Sequence, residues 1–380
     1  MEGDSDDYEQ NIERDRLGIL TKITLRAHIM PGLGDFFLWG KIQVHVSGTL
    51  FSFLRRYLAM KIVRVAVVQD APVVFDREAT LAKTAELVAK AANQGSQLVL
   101  FPEAFVSAYP KGLDFGARLG MRFPYGRDYF LRYFESSVEV PGEATQFLGH
   151  AAKEHGVYLI IGVIERDGGT LYCTALFFSD QGHLLGKHRK LMPTAMERLV
   201  WGFGDGSTMQ VFDTPLGKIG AVICWENYMP LFRTYMYSQG IQLYCAPTAD
   251  DRDTWLPSMQ HIALEGRCFV LSCCQYLLRK DCPEHYAAIQ GDDTETVLMR
   301  GGSCIVGPLG QVVAGPNFDG PCILTADLDL DDIARGKYDL DSVGHYARPD
   351  LFRLHVNVRS APPVKTWDGT EEDPFVSTKE

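Results

Sequence analysis

The sequence predicts an α/β fold in which mixed sheets are layered with helices. Three observations predict it. Short β-branched runs alternate with segments of helical apolar spacing, the pattern of strands packed beneath helices. Two pairs of strand-like runs are joined by short Gly-containing breaks, which makes them antiparallel hairpins, so the sheet is not purely parallel. The apolar fraction of 46% and charged fraction of 22% are those of an ordinary folded chain, and 380 residues suffice for one large α/β domain or two smaller ones.

The regular pattern begins near Met60. "VRVAVVQ" reads as a strand, and "DREATLAKTAELVAKAANQG" as a helix, with Ala79, Ala82, Leu87 and Val88 near helical spacing and Gly95 as the stop. "QLVLFPE" is a buried-strand run, "GEATQFLGHAAKEHG" a second helix ending at Gly156, and "VYLIIGVIE" a third strand. "LYCTALFFSD" and "HLLGKHRK" form a hairpin around Gln181-Gly182. Strand, helix, strand, helix and strand follow in "KIGAVIC", "PLFRTYMYSQG", "IQLYCAP", "TWLPSMQHIALEGRC" and "FVLSCCQ". A hairpin around Pro308-Leu309-Gly310 and the strand "CILTADLDL" close the regular part. "FGARLGMRFPYGRDYFLRYF" and "CPEHYAAIQGDDTETVLM" interrupt this alternation and read as insertions, serving either as interface segments or as a pocket lid.

The ends differ from this core. Residues 1–59 begin acidic, where a targeting peptide would be basic, and hold no sustained period, so they read as a poorly ordered leader. The alternative is an interfacial or partner-binding arm, suggested by Phe51, Phe53 and Leu54 beside Arg55 and Arg56. Residues 357–380 are polar and Pro-rich and read as a mobile tail after a domain at 60–356.

A formal charge of −11 with no basic stripe argues against a nucleic-acid partner, and the most apolar run of the leader is too short to span a bilayer. Nine cysteines, an odd number in a chain of this size with no C-x-x-C pair, read as reduced thiols of a cytoplasmic protein. His183 and His188 lie too far from any thiol motif to suggest zinc. Cys173, Cys268, Cys273 and Cys274 sit in apolar strand contexts and read as packing.

Chemistry in open α/β sheets gathers beyond the carboxyl ends of strands. Glu103, Lys190 and Cys224 each stand there, after "LVLFP", "HLLGKHR" and "KIGAVI". A carboxylate could take the thiol's proton and an ammonium could stabilise an anion, while a strand-to-helix elbow after Cys224 would leave backbone N–H groups free. Singly, each residue also has a plain reading as solvated loop, exposed basic run or core.

The segments "LVLFPEAFVSAYP", "GKHRKLMPTAMERLVWGFGDGS" and "GKIGAVICWENYMP" resemble the three catalytic segments of the nitrilase superfamily, and "CWEN" resembles its nitrilase branch. The similarity runs from about residue 62 to 356. It implies an α-β-β-α sandwich protomer that forms a four-layer core by pairing. It also implies Cys224 as nucleophile, Glu103 as general base, Lys190 as stabiliser of the tetrahedral species and Glu197 as a second carboxylate orienting Lys190 and substrate. The backbone N–H of Trp225 would join the anion hole. The implied activity is hydrolysis of an organic nitrile to carboxylic acid and ammonia through a thioimidate and a thioester, with no metal or organic cofactor. Dimers building into a spiral or filament are implied as the assembly. An amidase, a nitrile-hydratase-like enzyme and a catalytically silent filament-forming homologue are the competing readings. Tyr109, Trp225, Trp255 and His261 are the candidate substrate-binding residues; Tyr109-Pro110 reads equally as a turn, and Trp255 and His261 as helix core.

Overall fold

The structure, a computed structural model, describes residues 62–364; the expectations for the leader and for residues 365–380 lie outside them. Two mixed sheets face one another. The first is built from β1 (Ile62–Gln69), β2 (Leu98–Leu100), β5 (Val138–Glu139), β6 (Tyr158–Asp167), β7 (Thr170–Phe178), β8 (Leu184–Arg189) and β17 (Cys322–Asp329), in the order β17-β1-β2-β6-β7-β8 with β5 beside β6. The second comprises β9 (Val211–Thr214), β10 (Gly217–Ala221), β11 (Leu243–Thr248), β12 (Phe269–Cys274), β15 (Ser303–Val306) and β16 (Val312–Asn317), in the order β16-β15-β12-β11-β10-β9. Small hairpins of β3 (Ala117–Arg118) with β4 (Met121–Arg122) and of β13 (Tyr276–Leu278) with β14 (Val297–Arg300) lie apart from both.

Alternation along the strands sorts side chains into three apolar layers. Val63, Val65 and Val67 of β1 point between the sheets, where they meet Ile219 and Ala221 of β10, Leu243 and Cys245 of β11, and Leu271 and Cys273 of β12. Ala66 and Val68 point the other way, onto Leu81, Leu87 and Val88 of α1 (Arg77–Asn93) and, with Leu159 and Ile161 of β6, onto Leu148 and Ala152 of α3 (Glu143–His155). The outer face of the second sheet, through Tyr244, Ala246 and Val270, packs on α4 (Pro230–Ser238) and α5 (Trp255–Gly266). The order of layers is therefore helix, sheet, sheet, helix, as the resemblance implied. Helix ends are set locally: Asp76 accepts the Ala79 N–H at 2.9 Å to start α1, and Gly156, with φ of 61°, stops α3.

The inserted segments hold more regular structure than their sequence pattern announced. "FGARLGMRFPYGRDYFLRYF" contains the β3–β4 hairpin and the twelve-residue helix α2 (Pro124–Glu135), with proline at its first position. "CPEHYAAIQGDDTETVLM" is mostly irregular but ends in β14, whose register with β13 slips between Leu277 and Leu278. β9 and the short α6 (Asp331–Gly336) were likewise absent from the sequence reading.

One ion cluster stiffens the strand that carries Lys190. Glu165 of β6 is buried and accepts from Arg189 at 2.6 and 2.9 Å, from Thr174 at 3.0 Å and from Lys187. Burial alone would raise its carboxyl, but Arg189 and Lys187 outweigh that and hold it below the usual value. Glu165→Gln strands two cations at the edge of the first sheet and is expected to cost about 2–4 kcal/mol near neutral pH. Because the folded pKa is depressed, the contribution is present above about pH 4.3 and is lost as pH falls through the lower folded value. Denaturation at pH 7 and pH 3 checks this: the gap between parent and variant should close at the acid end.

Candidate active site

The β1, β2, β6 and β8 strands of the first sheet run in one direction, as do β10, β11 and β12 of the second, so their carboxyl ends open onto common ground. Glu103 arrives on the loop after β2. That loop presses on β6 so closely that a Cβ at Gly162 would lie 2.2 Å from the Pro102 carbonyl oxygen and 2.8 Å from Glu103 Cα. It also carries positive φ at Ala104, Ser107 and Ala108, and Gln275 Nε2 holds the Glu103 carbonyl at 2.8 Å. Lys190 follows β8 and is pinned by its own backbone, its N–H donating to Cys173 O and its carbonyl accepting from Gly204, both at 2.8 Å. Cys224 follows β10 with φ of 52°, at the start of a 3-10 turn, Cys224–Tyr228. Such a left-handed residue bends the chain sharply and costs about 1–3 kcal/mol unless held by its surroundings. Asn227 holds it: its Nδ2 donates to the carbonyls of Val222 and Cys224 at 2.8 Å, while Tyr244 OH donates to its Oδ1 at 2.9 Å.

These three side chains meet, and Glu197 joins them. The Lys190 ammonium donates to Glu103 Oε1 at 2.6 Å and to Glu197 Oε2 at 2.7 Å, with Lys190 and Glu103 almost wholly buried. Glu197 is fixed by the capping box of a 3-10 turn, Ala195–Leu199: its Oε2 accepts the Thr194 N–H at 2.6 Å, and its Oε1 accepts Tyr109 OH at 2.7 Å. Cys173, read from sequence as packing, also donates its thiol to Glu103 Oε1 at 3.5 Å. Glu103 Oε2 is left buried without a hydrogen-bond partner.

The electrostatics follow from that geometry. Burial pushes the Glu103 carboxyl above its ordinary range, with Lys190 opposing. Burial also works against the Lys190 charge, but Glu103, Cys224 and Glu197 carry its pKa well above that of a free lysine, so it remains an ammonium. The Cys224 thiol is pushed up by burial and then by Glu103, against Lys190, so at rest it keeps its proton. Thr248, at the end of β11, donates to its sulfur at 3.2 Å.

Cys224 opens into a cavity of about 260 Å³ lined by Tyr109, Thr194, Glu197 and Trp225, with Lys111, Asp250 and Arg252 at its polar rim. The Trp225 indole is tied to Asp250 at 2.8 Å, and Arg252 in turn binds the same carboxylate at 2.8 Å. A second cavity of about 290 Å³ shares Tyr109, Lys111 and Glu197 with the first and is walled by Leu113, Phe115, Met196 and Trp201. Tyr109 and Trp225 line the cavity into which Cys224 opens. Trp255 and His261 do not. Trp255 is core, its indole N–H on Ser272 Oγ at 2.8 Å, and His261 projects from α5 with its side chain 65% exposed, 3.8 Å from Glu265. Both lie on the helix behind the second sheet, which turns them from the cavity. Thr248, His188 and Glu226 were missed; the signal for His188 was its position two residues before Lys190, which puts both on one face of the strand.

A model of the carbon-nitrogen hydrolase family matches residues 64–338. The chain belongs to this family, the class that its helix-sheet-sheet-helix layers and buried Glu-Lys-Cys cluster also describe. Within it, the chain is 62% identical over 294 residues to an aliphatic nitrilase of Sinorhizobium fredii (strain HH103), covering 77% of this chain and 95% of that one. It is 54% identical over 306 residues to the bifunctional nitrilase/nitrile hydratase NIT4B of Nicotiana tabacum, covering 80% and 88%. Among solved structures, a carbon-nitrogen hydrolase of Helicobacter pylori G27 superposes with a TM-score of 0.59 at 22% identity over 73% of this chain and 92% of that one, a likeness of fold.

Proposed function

We propose that the chain is a nitrilase that converts an organic nitrile to its carboxylic acid and ammonia through covalent attachment to Cys224. The observation that carries this is the buried cluster of Glu103, Lys190 and Cys224 in which one carboxylate oxygen, Glu103 Oε2, has no partner and the thiol keeps its proton. A protonated thiol needs a base at the moment of attack, and a desolvated carboxylate with a free lone pair is one.

The sulfur attacks the nitrile carbon as Glu103 accepts its proton, and the nitrile nitrogen takes a proton to give a thioimidate. Water adds to that carbon, activated by Glu103. The nitrogen, protonated again, leaves as ammonia, and a thioester remains. A second water cleaves it to the acid and frees the thiol, so two waters are consumed for each acid and ammonia formed. Lys190 and the Trp225 backbone N–H, in the first turn after the elbow where no intrahelical acceptor exists, stabilise the negative charge at each tetrahedral stage. Glu197 and Tyr109 hold Lys190 and the cavity wall. The apolar walls that Leu113, Phe115, Met196 and Trp201 give the second cavity support a nitrile whose side chain is aliphatic or arylalkyl. Collapse of the first tetrahedral species with loss of sulfur instead of ammonia would release the amide, the outcome named for the tobacco relative.

We also read residues 60–356 as the catalytic domain, the working form as a homo-oligomer grown from dimers, and the compartment as the cytoplasm. Among the described residues no helix is long and apolar enough to cross a membrane.

The test is incubation with phenylacetonitrile, 3-phenylpropionitrile, fumaronitrile and β-cyanoalanine, with ammonia, acid and amide measured separately. Ammonia and acid in equal amounts are expected. Hydrolysis of amides with no nitrile consumed would overturn the reading. The pH profile carries a second prediction. Glu103 must be ionised to accept a proton, and burial raises its pKa, so the acid limb of kcat/KM should fall above the ordinary carboxylate value of about 4.3. A profile flat down to pH 4 would assign the base elsewhere.

A further inference from the structure

We propose that Glu226 and His188 form a charged brace that positions Lys190 against Cys224, a role resting on the reading of those two as reacting groups. The need for a brace comes from the fold. Lys190 leaves a strand of the first sheet and Cys224 a strand of the second, and the layer between the sheets is apolar and therefore non-directional. Catalytic placement to a fraction of an ångström needs directional contacts.

Glu226 supplies them on both sides at once. It lies two residues after Cys224 and is buried. Its Oε2 accepts the N–H of Ile223, the residue before the nucleophile, at 2.7 Å. Its Oε1 accepts the N–H of Leu191, the residue after the lysine, at 2.6 Å. One carboxylate thus bridges the backbone immediately beside each group. His188, also buried, lies two residues before Lys190 and brings its Nε2 to 3.0 and 3.2 Å from the same carboxylate.

The hydrogen-bond pattern fits a charged pair. Both Glu226 oxygens accept backbone N–H groups, as a carboxylate does, and a carboxylate takes its third hydrogen from the His188 imidazole. The other ring nitrogen, Nδ1, is 3.2 Å from the Thr208 carbonyl, which can only accept. A charged brace has both ring nitrogens donating, an imidazolium against the Glu226 carboxylate; Glu226 is the one titratable side chain hydrogen-bonded to His188, and the Phe232 ring of α4 packs against it at 5.4 Å. The charge pair is closed on itself, and its purpose lies in what its backbone bonds hold.

The experiment uses the full chain and three readouts. In protein labelled with ¹⁵N-histidine, the His188 resonances, assigned by their loss in His188→Gln, should show both nitrogens protonated at pH 7.5. In Glu226→Gln, where the amide cannot accept from all three donors, kcat should fall about 10²-fold with KM changed less than about threefold, the size expected for misplacement of about 1 Å. Alkylation of Cys224 by iodoacetamide, followed on its own peptide, should slow in parallel, and Glu226→Asp should restore part of both. The double variant should be no worse than the poorer single one, since the two residues act as a unit. A neutral His188 overturns the proposal, as does a Glu226→Gln enzyme with parental kcat. If Glu226→Gln does not fold, the wild-type spectrum and the kcat against KM split of His188→Gln decide in its place. Absence of nitrile turnover in the parent would sink the nitrilase reading alone, because the spectrum and the alkylation rate still report on the brace.

Discussion

Cys224→Ala is expected to release no measurable ammonia from any nitrile, a loss of at least about 10⁴-fold in kcat, since removing the nucleophile of a covalent mechanism leaves only binding and anion stabilisation. The fold should be indifferent to the change. Alanine can take the bend at φ of 52° with no more strain than cysteine, because both carry a Cβ. The clamp that imposes that bend comes from Asn227 and Tyr244 and does not involve the sulfur. The lost contact is one weak bond from Thr248 to sulfur. Thermal midpoints of parent and variant should therefore agree within a few degrees while activity vanishes. Ammonia release persisting above about 1% of the parental rate would mean that another group attacks the nitrile. Among the eight other cysteines, all free, Cys173 is the one that hydrogen-bonds to Glu103, and it is already bound to the oxygen that Lys190 occupies.

How far the sequence carries the argument depends on the range of the contacts. The buried strands were legible because their apolar runs are continuous, and the placement of Glu103, Lys190 and Cys224 beyond strand ends followed from that pattern alone. The helix Pro124–Glu135 was not: Gly126 and Tyr133 are its only buried residues, and although Phe130 and Phe134 pack beside Tyr133 on the core, the exposed Tyr125 and Leu131 blur the edge of that apolar face. β9 was hidden by its shortness and by an aspartate facing out. Glu197 came from resemblance, and no local spacing would have supplied it; its meeting with Lys190 depends on a 3-10 turn whose cap bends the carboxylate back to Thr194. The contact of His188 with Glu226 joins residues 38 apart across two sheets, and single-sequence patterns carry no signal at that range. Trp255 and His261 show the reverse case. Their helix does pack on the sheet that bears Cys224, but on its far face, and which face a helix covers is a property of topology.

Lys190→Met should damage both catalysis and stability, and the two losses should part company with pH. Methionine has nearly the length of lysine and no charge, so packing is kept while the ammonium shared by Glu103 and Glu197 is removed. Loss of charge stabilisation at each tetrahedral stage should lower kcat/KM by about 10³-fold or more. Stability falls because two carboxylates that faced one cation now face each other in a buried site, a cost of about 3–5 kcal/mol. The Glu103 pKa must then rise further above the unfolded value, since burial already pushes it upward and Lys190 was the opposing influence. A carboxyl group raised on folding binds more protons in the native state than in the unfolded one, so stability falls as pH rises past about 4.3 and recovers below it. The deficit of Lys190→Met against the parent should accordingly be large at pH 8 and shrink toward pH 5, as the Glu103 carboxyl, raised further in the variant, takes up a proton. Activity should not recover there, because protonation removes the repulsion without restoring a cation or a base. Denaturation curves and ammonia release at the two pH values separate these effects. Equal deficits at both would show that Lys190 serves the fold through packing alone, and regained turnover at pH 5 would show that a neutral carboxyl can replace the ammonium.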